Sequence, residues 1–201
     1  VTLPTAEMLE AIKDASLGDD NAGRDPTVQY LEELAAERLG KEAAILLLSG
    51  TMGNLVGVMA HTQRGQEIIV EQLAHIYTSE QGGAAAIAGV MVTRVPGVRG
   101  YPPPEAVEAA IRPDDIHAPR TGLICLENTH NRAGGTVITP EQTRAMRQLA
   151  DRYGLPIHLD GARLFNAAVA LGVEAKDLVK DVDSVTFCLS KGLSCPTGAM
   201  L

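Results

Sequence analysis

Short apolar runs alternating with helix-period stretches constrain this chain more than any other feature in it. Residues 45–48, 67–71, 90–95, 123–126, 157–160 and 184–189 have the length and composition of strands. Between them, 52–61, 82–88, 104–111, 140–153 and 162–171 carry apolar residues at helical spacing. Strands joined through helices are crossover units, and a crossover returns the chain parallel to itself. The expected class is therefore α/β, a three-layer and mostly parallel sheet. Two further helices precede the first strand, over 5–15 and 26–39. Pro26 sits in a first turn, where its missing N–H costs nothing, and Gly40 is a stop. This divides the chain into an N-terminal helical segment, 1–40, and a main α/β domain, 41–201. The Pro- and Gly-rich stretch 96–104 reads as a surface connection. The final Gly198-Ala199-Met200-Leu201 reads as the opening of another strand, so the domain is expected to be incomplete at its C-terminal end.

Composition narrows the function classes. With 201 residues, 45% of them hydrophobic, the chain can bury one sizeable core. Twenty-five acidic against 17 basic side chains give a net charge of −8, which argues against nucleic-acid and anionic-membrane partners. The longest apolar run, 43–48, is too short to span a bilayer. Cys125, Cys188 and Cys195 have neither disulfide-framework nor zinc-cluster spacing, so no metal site is expected. With no secretory pattern at Val1-Thr2-Leu3-Pro4, the expected compartment is reducing cytoplasm.

In open α/β sheets, ligands bind beyond the carboxyl ends of the strands. Four polar clusters stand there. Ser49-Gly50-Thr51-Met52-Gly53-Asn54 follows the first strand and opens a helix. Free N–H groups at a helix start, with hydroxyls beside them, form a phosphate cradle; the plainer reading is a tight turn with a Ser or Thr cap. Glu127-Asn128-Thr129-His130-Asn131 ends the fourth strand in more polar groups than a turn needs. Asp160-Gly161-Ala162-Arg163 follows the fifth strand and Ser190-Lys191-Gly192 the sixth. A strand-end Asp or Lys alone is usually a cap or a solvated charge. Together, a cradle, an Asp and a Lys are what pyridoxal phosphate requires: donors for its phosphate, a carboxylate to keep its ring nitrogen protonated, and an amine for a Schiff base.

The chain resembles the low-specificity threonine aldolases among the fold-type I pyridoxal phosphate enzymes. The likeness runs through Gly18-Asp19-Asp20, Asp25-Pro26-Thr27-Val28, Gly40-Lys41-Glu42-Ala43-Ala44, Ser49-Gly50-Thr51-Met52-Gly53-Asn54-Leu55, Ala74-His75-Ile76-Tyr77, Leu126-Glu127-Asn128-Thr129-His130-Asn131, His158-Leu159-Asp160-Gly161-Ala162-Arg163-Leu164-Phe165-Asn166 and Cys188-Leu189-Ser190-Lys191-Gly192-Leu193. It implies an aminotransferase-like large domain whose smaller C-terminal domain is missing. It also implies that Lys191 carries pyridoxal phosphate, Asp160 faces the pyridine nitrogen, Gly50 and Thr51 hold the phosphate, and His75 stacks on the cofactor. Arg163 would bind the substrate carboxylate, His130 would be the second active-site histidine, and Glu80 would help hold a water near it. For Glu80, a surface carboxylate is an equal reading. His61, His117 and His158 are expected to be structural.

The pattern also departs from the family. Asn21-Ala22-Gly23-Arg24 stands where many members carry an aromatic residue, and an N-terminal arm before Val1-Thr2 is absent. The activity implied is retro-aldol cleavage of a β-hydroxy-α-amino acid to glycine and an aldehyde, with His75 and His130 as candidate bases and a homodimer or homotetramer as the assembly. A β-eliminating lyase of the same fold is the alternative within the cofactor class. A non-catalytic α/β or nucleotide-binding module is the alternative outside it, disfavoured because no Gly-x-Gly-x-x-Gly turn or Walker loop follows the first strand. The 201-residue chain by itself is not expected to be a competent catalyst.

Overall fold

The computed structural model describes residues 2–23 and 25–201. Its elements in chain order are α1 (Ala6–Asp14), α2 (Pro26–Leu39), β1 (Leu46–Leu47), α3 (Gly50–His61), β2 (Glu67–Glu71), α4 (His75–Thr78), β3 (Met91–Val95), α5 (Pro104–Ala110), β4 (Thr121–Glu127), α6 (Pro140–Tyr153), β5 (Ile157–Asp160), α7 (Leu164–Leu171), α8 (Ala175–Val179), β6 (Ser184–Cys188) and β7 (Ala199–Met200). Among the described residues the strands form one sheet in the order β1-β7-β6-β5-β4-β2-β3. The pairings from β3 across to β6 are parallel, and β7 runs antiparallel to both β6 and β1. The mostly parallel α/β sheet expected from the sequence is thus present.

Period-two alternation assigns the strand side chains to two faces. Ile69, Ile124, Leu126, Ile157, Leu159, Val185 and Phe187 point to one, where they pack with residues of α2, α5, α6, α7 and α8 in the larger core. Ile68, Val70, Leu123 and Cys125 point to the other and pack with Val58 of α3 and Ile76 of α4. Burial on both faces explains why the central strands are nearly continuous apolar runs. Toward β5 and β6 the second face turns polar, with His158, Asp160 and Thr186 all buried.

That polar patch is covered by α3, and three glycines make the cover possible. A Cβ on Gly50 would lie 2.6 Å from Cys188 Sγ, one on Gly53 2.5 Å from Thr186 Cγ2, and one on Gly57 2.5 Å from His158 Cε1. No real Cβ tolerates such distances, so glycine at these positions lets α3 settle directly on β5 and β6 and brings its N-terminus to their carboxyl ends. The helix begins at Gly50, two residues earlier than the sequence pattern suggests, because Ser49 caps it by accepting the Met52 N–H at 3.2 Å.

Elsewhere the punctuation follows from named side chains. Asp25 accepts the Thr27 and Val28 N–H groups, both at 3.0 Å, to start α2, and Gly40 ends it at φ +62°. Lys41 donates to the Val179 and Val182 carbonyls at 2.7 and 2.5 Å, tying the end of α2 to the end of α8. Three expectations need correction. Residues 96–104 are more than a surface connection: Gly97 and Gly100 close on Glu71 and His130, where a Cβ would approach to 2.5 and 2.4 Å. Residues 82–88 form only a single wide π-type turn, Ala84–Ala88. The first strand shrinks to two residues, since Leu48 is already exposed and the chain is turning into α3. No helix among the described residues is long and apolar enough to cross a membrane.

Candidate active site

Asp160 ends β5 at 3% exposure. Its Oδ1 accepts the Ala162 N–H at 3.0 Å and its Oδ2 accepts from Asn54 Nδ2 at 2.9 Å. Asn54, in the first turns of α3, gives its other N–H to Glu80 Oε1 at 2.8 Å. The same Glu80 oxygen meets His75 Nδ1 at 2.8 Å. The resulting cluster is tight: polar atoms of His75, Glu80 and Asp160 all lie within 4.8 Å of one another, with the Asn54 amide nitrogen between the two carboxylates. Glu80 is buried in this cluster, which decides between its two sequence readings in favour of an interior position. The hydrogen bond to Glu80 raises the His75 pKa above its ordinary value; burial opposes it, Asp160 adds to it and Lys191 opposes it.

Two further groups complete the rim. The Gly50 and Thr51 N–H groups stand in the first turn of α3, where a helix offers them no carbonyl partner, so the cap and the cradle coexist at one site. Lys191 lies in the turn after β6, half-buried, its carbonyl accepting the Thr2 hydroxyl. Its charge reaches both His75 and Cys188. The Cys188 thiol, beneath Gly50, is pushed up by burial and pulled back by Lys191.

His130 is placed differently from His75. It is fully buried, with Nε2 at 3.0 Å from Glu71 Oε2 and 3.7 Å from Glu127 Oε2. Its Nδ1 accepts the Ala133 N–H at 3.2 Å, which assigns the proton to Nε2. Both ring nitrogens are therefore committed inside the protein, whereas His75 Nε2 has no hydrogen-bond partner among the described residues. Glu127 links the two histidines, its carboxylate accepting the His75 N–H at 2.7 Å and the Asn131 N–H at 2.8 Å. Burial raises the Glu127 pKa, and the nearby Asp160 charge adds to it. Arg163 stands at the residue before α7, with no side-chain capping bond, and gives one N–H to Asn131 Oδ1 at 3.3 Å. Asn54, Glu71 and Glu127 escaped the sequence reading as individual site residues; for Asn54 the available signal was a lone amide on the glycine face of an apolar helix. His117 is exposed, while the half-buried His61 and the buried His158 join a hydrogen-bonded row beneath α3.

Comparison with known proteins gives the family and the fold neighbours of the chain. A family model described as beta-eliminating lyase matches residues 1–201. Low-specificity L-threonine aldolase 1 of Arabidopsis thaliana is 48% identical over 205 residues, which cover 100% of this chain and 57% of that protein. A threonine aldolase from Leishmania major superposes with a TM-score of 0.85 at 22% identity, over 98% of this chain and 58% of that one. A more distant fold neighbour, NtdA of Bacillus subtilis (TM-score 0.69, 20% identity, 98% of this chain and 42% of that one), was solved with its cofactor PMP bound. The chain spans about half the length of the curated relatives it matches, from 49 to 60%. Matched along its whole length by the family model, the chain belongs to the beta-eliminating lyase family.

Proposed function

We propose that the protein is a pyridoxal-phosphate-dependent aldehyde-lyase that cleaves threonine, allo-threonine or a related β-hydroxy-α-amino acid to glycine and an aldehyde. The observation that carries this reading is Asp160: a buried carboxylate fixed by two N–H donors at the sheet edge where Lys191, His75 and the start of α3 also lie. This donor set fits the cofactor. Lys191 would offer the amine that anchors it, Asp160 a carboxylate for its ring nitrogen, Gly50 and Thr51 N–H and hydroxyl donors for its phosphate, and His75 an imidazole beside it. When bound, pyridoxal phosphate supplies the electron sink for the pair released as the Cα–Cβ bond breaks.

The chain's own groups do the rest. Arg163 holds the substrate carboxylate in its planar fork and so selects which bond at Cα is cleaved. His75 Nε2, the imidazole nitrogen without a partner among the described residues, takes the proton from the β-hydroxyl, while Glu80 on Nδ1 fixes the tautomer and strengthens the base. His130 acts at one remove, through the Glu127 carboxylate that holds the His75 backbone. The threonine aldolase names of the relatives support the carbon–carbon cleavage. The family description favours a second reading, β-elimination on the same Lys191 and Asp160. Product analysis on the purified full-length protein with threonine separates the two. Glycine and acetaldehyde support the proposal; a 2-oxo acid with ammonia would replace it. A homodimer or homotetramer in the reducing cytoplasm completes the proposal, and the outward Leu9 and Ile12 of α1, which buries none of its described side chains, suit a second copy.

A further inference from the structure

Beneath α3 runs a row of polar groups that the chemistry above does not use. His61 Nε2, at the end of α3, lies 2.8 Å from Ser184 Oγ, which lies 2.8 Å from His158 Nδ1. His158 Nε2 lies 3.2 Å from Asn54 Oδ1, and Asn54 Nδ2 reaches Glu80 and Asp160 at 2.8 and 2.9 Å. Asn54 is 2% exposed and His158 fully buried under Gly57, so neither can exchange a partner for water.

One pattern of protons satisfies the row. A reversed amide would set the Asn54 carbonyl oxygen between two carboxylates, which have only lone pairs to offer. The nitrogen must therefore face the acids, and Oδ1 must face His158. That oxygen needs a donor, so His158 carries its proton on Nε2 and leaves Nδ1 bare. Ser184 donates to the bare nitrogen and in turn accepts the His61 Nε2–H. Burial, with the His61 ring nearby, drives the His158 pKa down to about 3, so the imidazole stays neutral, as the pattern requires. An amide neither gains nor loses a proton near neutrality, so the row carries no proton to Asp160. Its physical capacity is to fix a direction.

We infer that Asn54 is a positioning residue for both acids of the site. A single amide, oriented from behind by His158, holds Asp160 and Glu80 together, so the carboxylate for the cofactor ring nitrogen and the carboxylate that orients His75 are set by one side chain. The cofactor consequence rests on the proposed function; the hydrogen-bond consequence does not, and each has its own readout.

Asn54→Leu keeps the approximate shape and removes both donors and the acceptor. In the ligand-free parent protein, nitrogen-15 NMR is expected to show His158 as the Nε2–H tautomer, unchanged between about pH 5 and 8. In Asn54→Leu, His75 is expected to titrate higher than in the parent. Glu80 loses a competing donor, Asp160 loses the same one, and the other charges facing His75, Lys191 and the Glu127 carboxylate on its backbone N–H, are unchanged. Pyridoxal phosphate, titrated into both, is expected to bind the variant about tenfold more weakly, the scale of one charged hydrogen bond. Should Asn54→Leu not fold, Asn54→Ala serves for the last two measurements. An Nδ1–H tautomer for His158, an unmoved His75, or equal cofactor affinity in parent and variant would each overturn the inference. A parent that binds no pyridoxal phosphate yet shows the expected tautomer and His75 shift would leave Asn54 in its role and refute the proposed function instead.

Discussion

A neutral imidazole in the middle of the sheet makes the protein's stability depend on acid. Unfolded, His158 titrates near its ordinary value of about 6.5, and folded it titrates at about 3. Between those values the unfolded chain binds the additional proton, so the free energy of unfolding falls as pH falls, by at most about 1.4 kcal/mol per pH unit. His75 works the other way. Its raised pKa adds stability that is full below about pH 6.5 and fades as pH rises through the folded value. Urea unfolding at pH 6.5 and pH 4 is predicted to show a larger acid loss in the parent than in His158→Gln, which cannot titrate; equal losses would contradict the buried neutral state. At Arg163, replacement by Lys exchanges a two-pronged contact for a point charge. Arg163→Lys should raise the amino-acid KM about tenfold while leaving cofactor affinity unchanged; loss of cofactor instead would move Arg163 to the phosphate. Asp160 and Lys191 were legible as site candidates because each is a charge placed directly after an apolar strand. Asn54 was not: a lone amide on the glycine face of α3 marks it as unusual, but its partners depend on which strand residues α3 covers, and a helical pattern does not encode that.

Among the elements, α3 carries the most consequence per residue. Gly50, Gly53 and Gly57 lower its helical propensity, and an exposed helix would gain about 1 kcal/mol from each change to Ala. Here the sign reverses. A methyl on Gly57 meets the His158 ring at 2.5 Å, with backbone on one side and a fixed hydrogen-bond network on the other. Gly57→Ala is therefore predicted to destabilise by about 1–3 kcal/mol, read from the denaturant midpoint at unchanged slope; a neutral or stabilised variant would mean that α3 lies further from the sheet. The long elements were legible from local signals, Pro26 and Gly40 for α2 and helical spacing for α6, and the structure adds their caps: Asp25 for α2, and Thr139 with Gln142 for α6, where both halves of a capping box are made. The 4-residue α4 and 5-residue α8 were missed because neither spans enough turns to show a period. The turn at 96–104 was misjudged for a related reason. Its glycines serve the close approach of Glu71 and His130, residues distant in sequence.

At the scale of the molecule, the sheet order explains why groups far apart in the chain converge. β4, β5 and β6 lie side by side and run parallel, so Glu127, Asp160 and the turn bearing Lys191 emerge at one edge. α3 then delivers Gly50, Thr51 and Asn54 to the same edge from the covering layer. The fold class was legible because crossover alternation dictates it, and the convergence was legible because strand ends in such sheets point one way. The antiparallel β7 showed itself only as a short apolar run at 198–201, and its position between β1 and β6 had no local signal. On the reading proposed above, this convergence is a pyridoxal phosphate site anchored on Lys191. The other lysines are engaged or remote: Lys13 pairs with Glu10 on α1, Lys41 holds the carbonyls at the end of α8, and Lys176 and Lys180 lie on or just after α8. Loading the protein with pyridoxal phosphate, reducing with borohydride and mapping the modified peptide by mass spectrometry tests the claim directly. A single stoichiometric adduct on Lys191 and loss of the visible absorption on reduction are expected. An adduct spread over other lysines, or none, would contradict that reading.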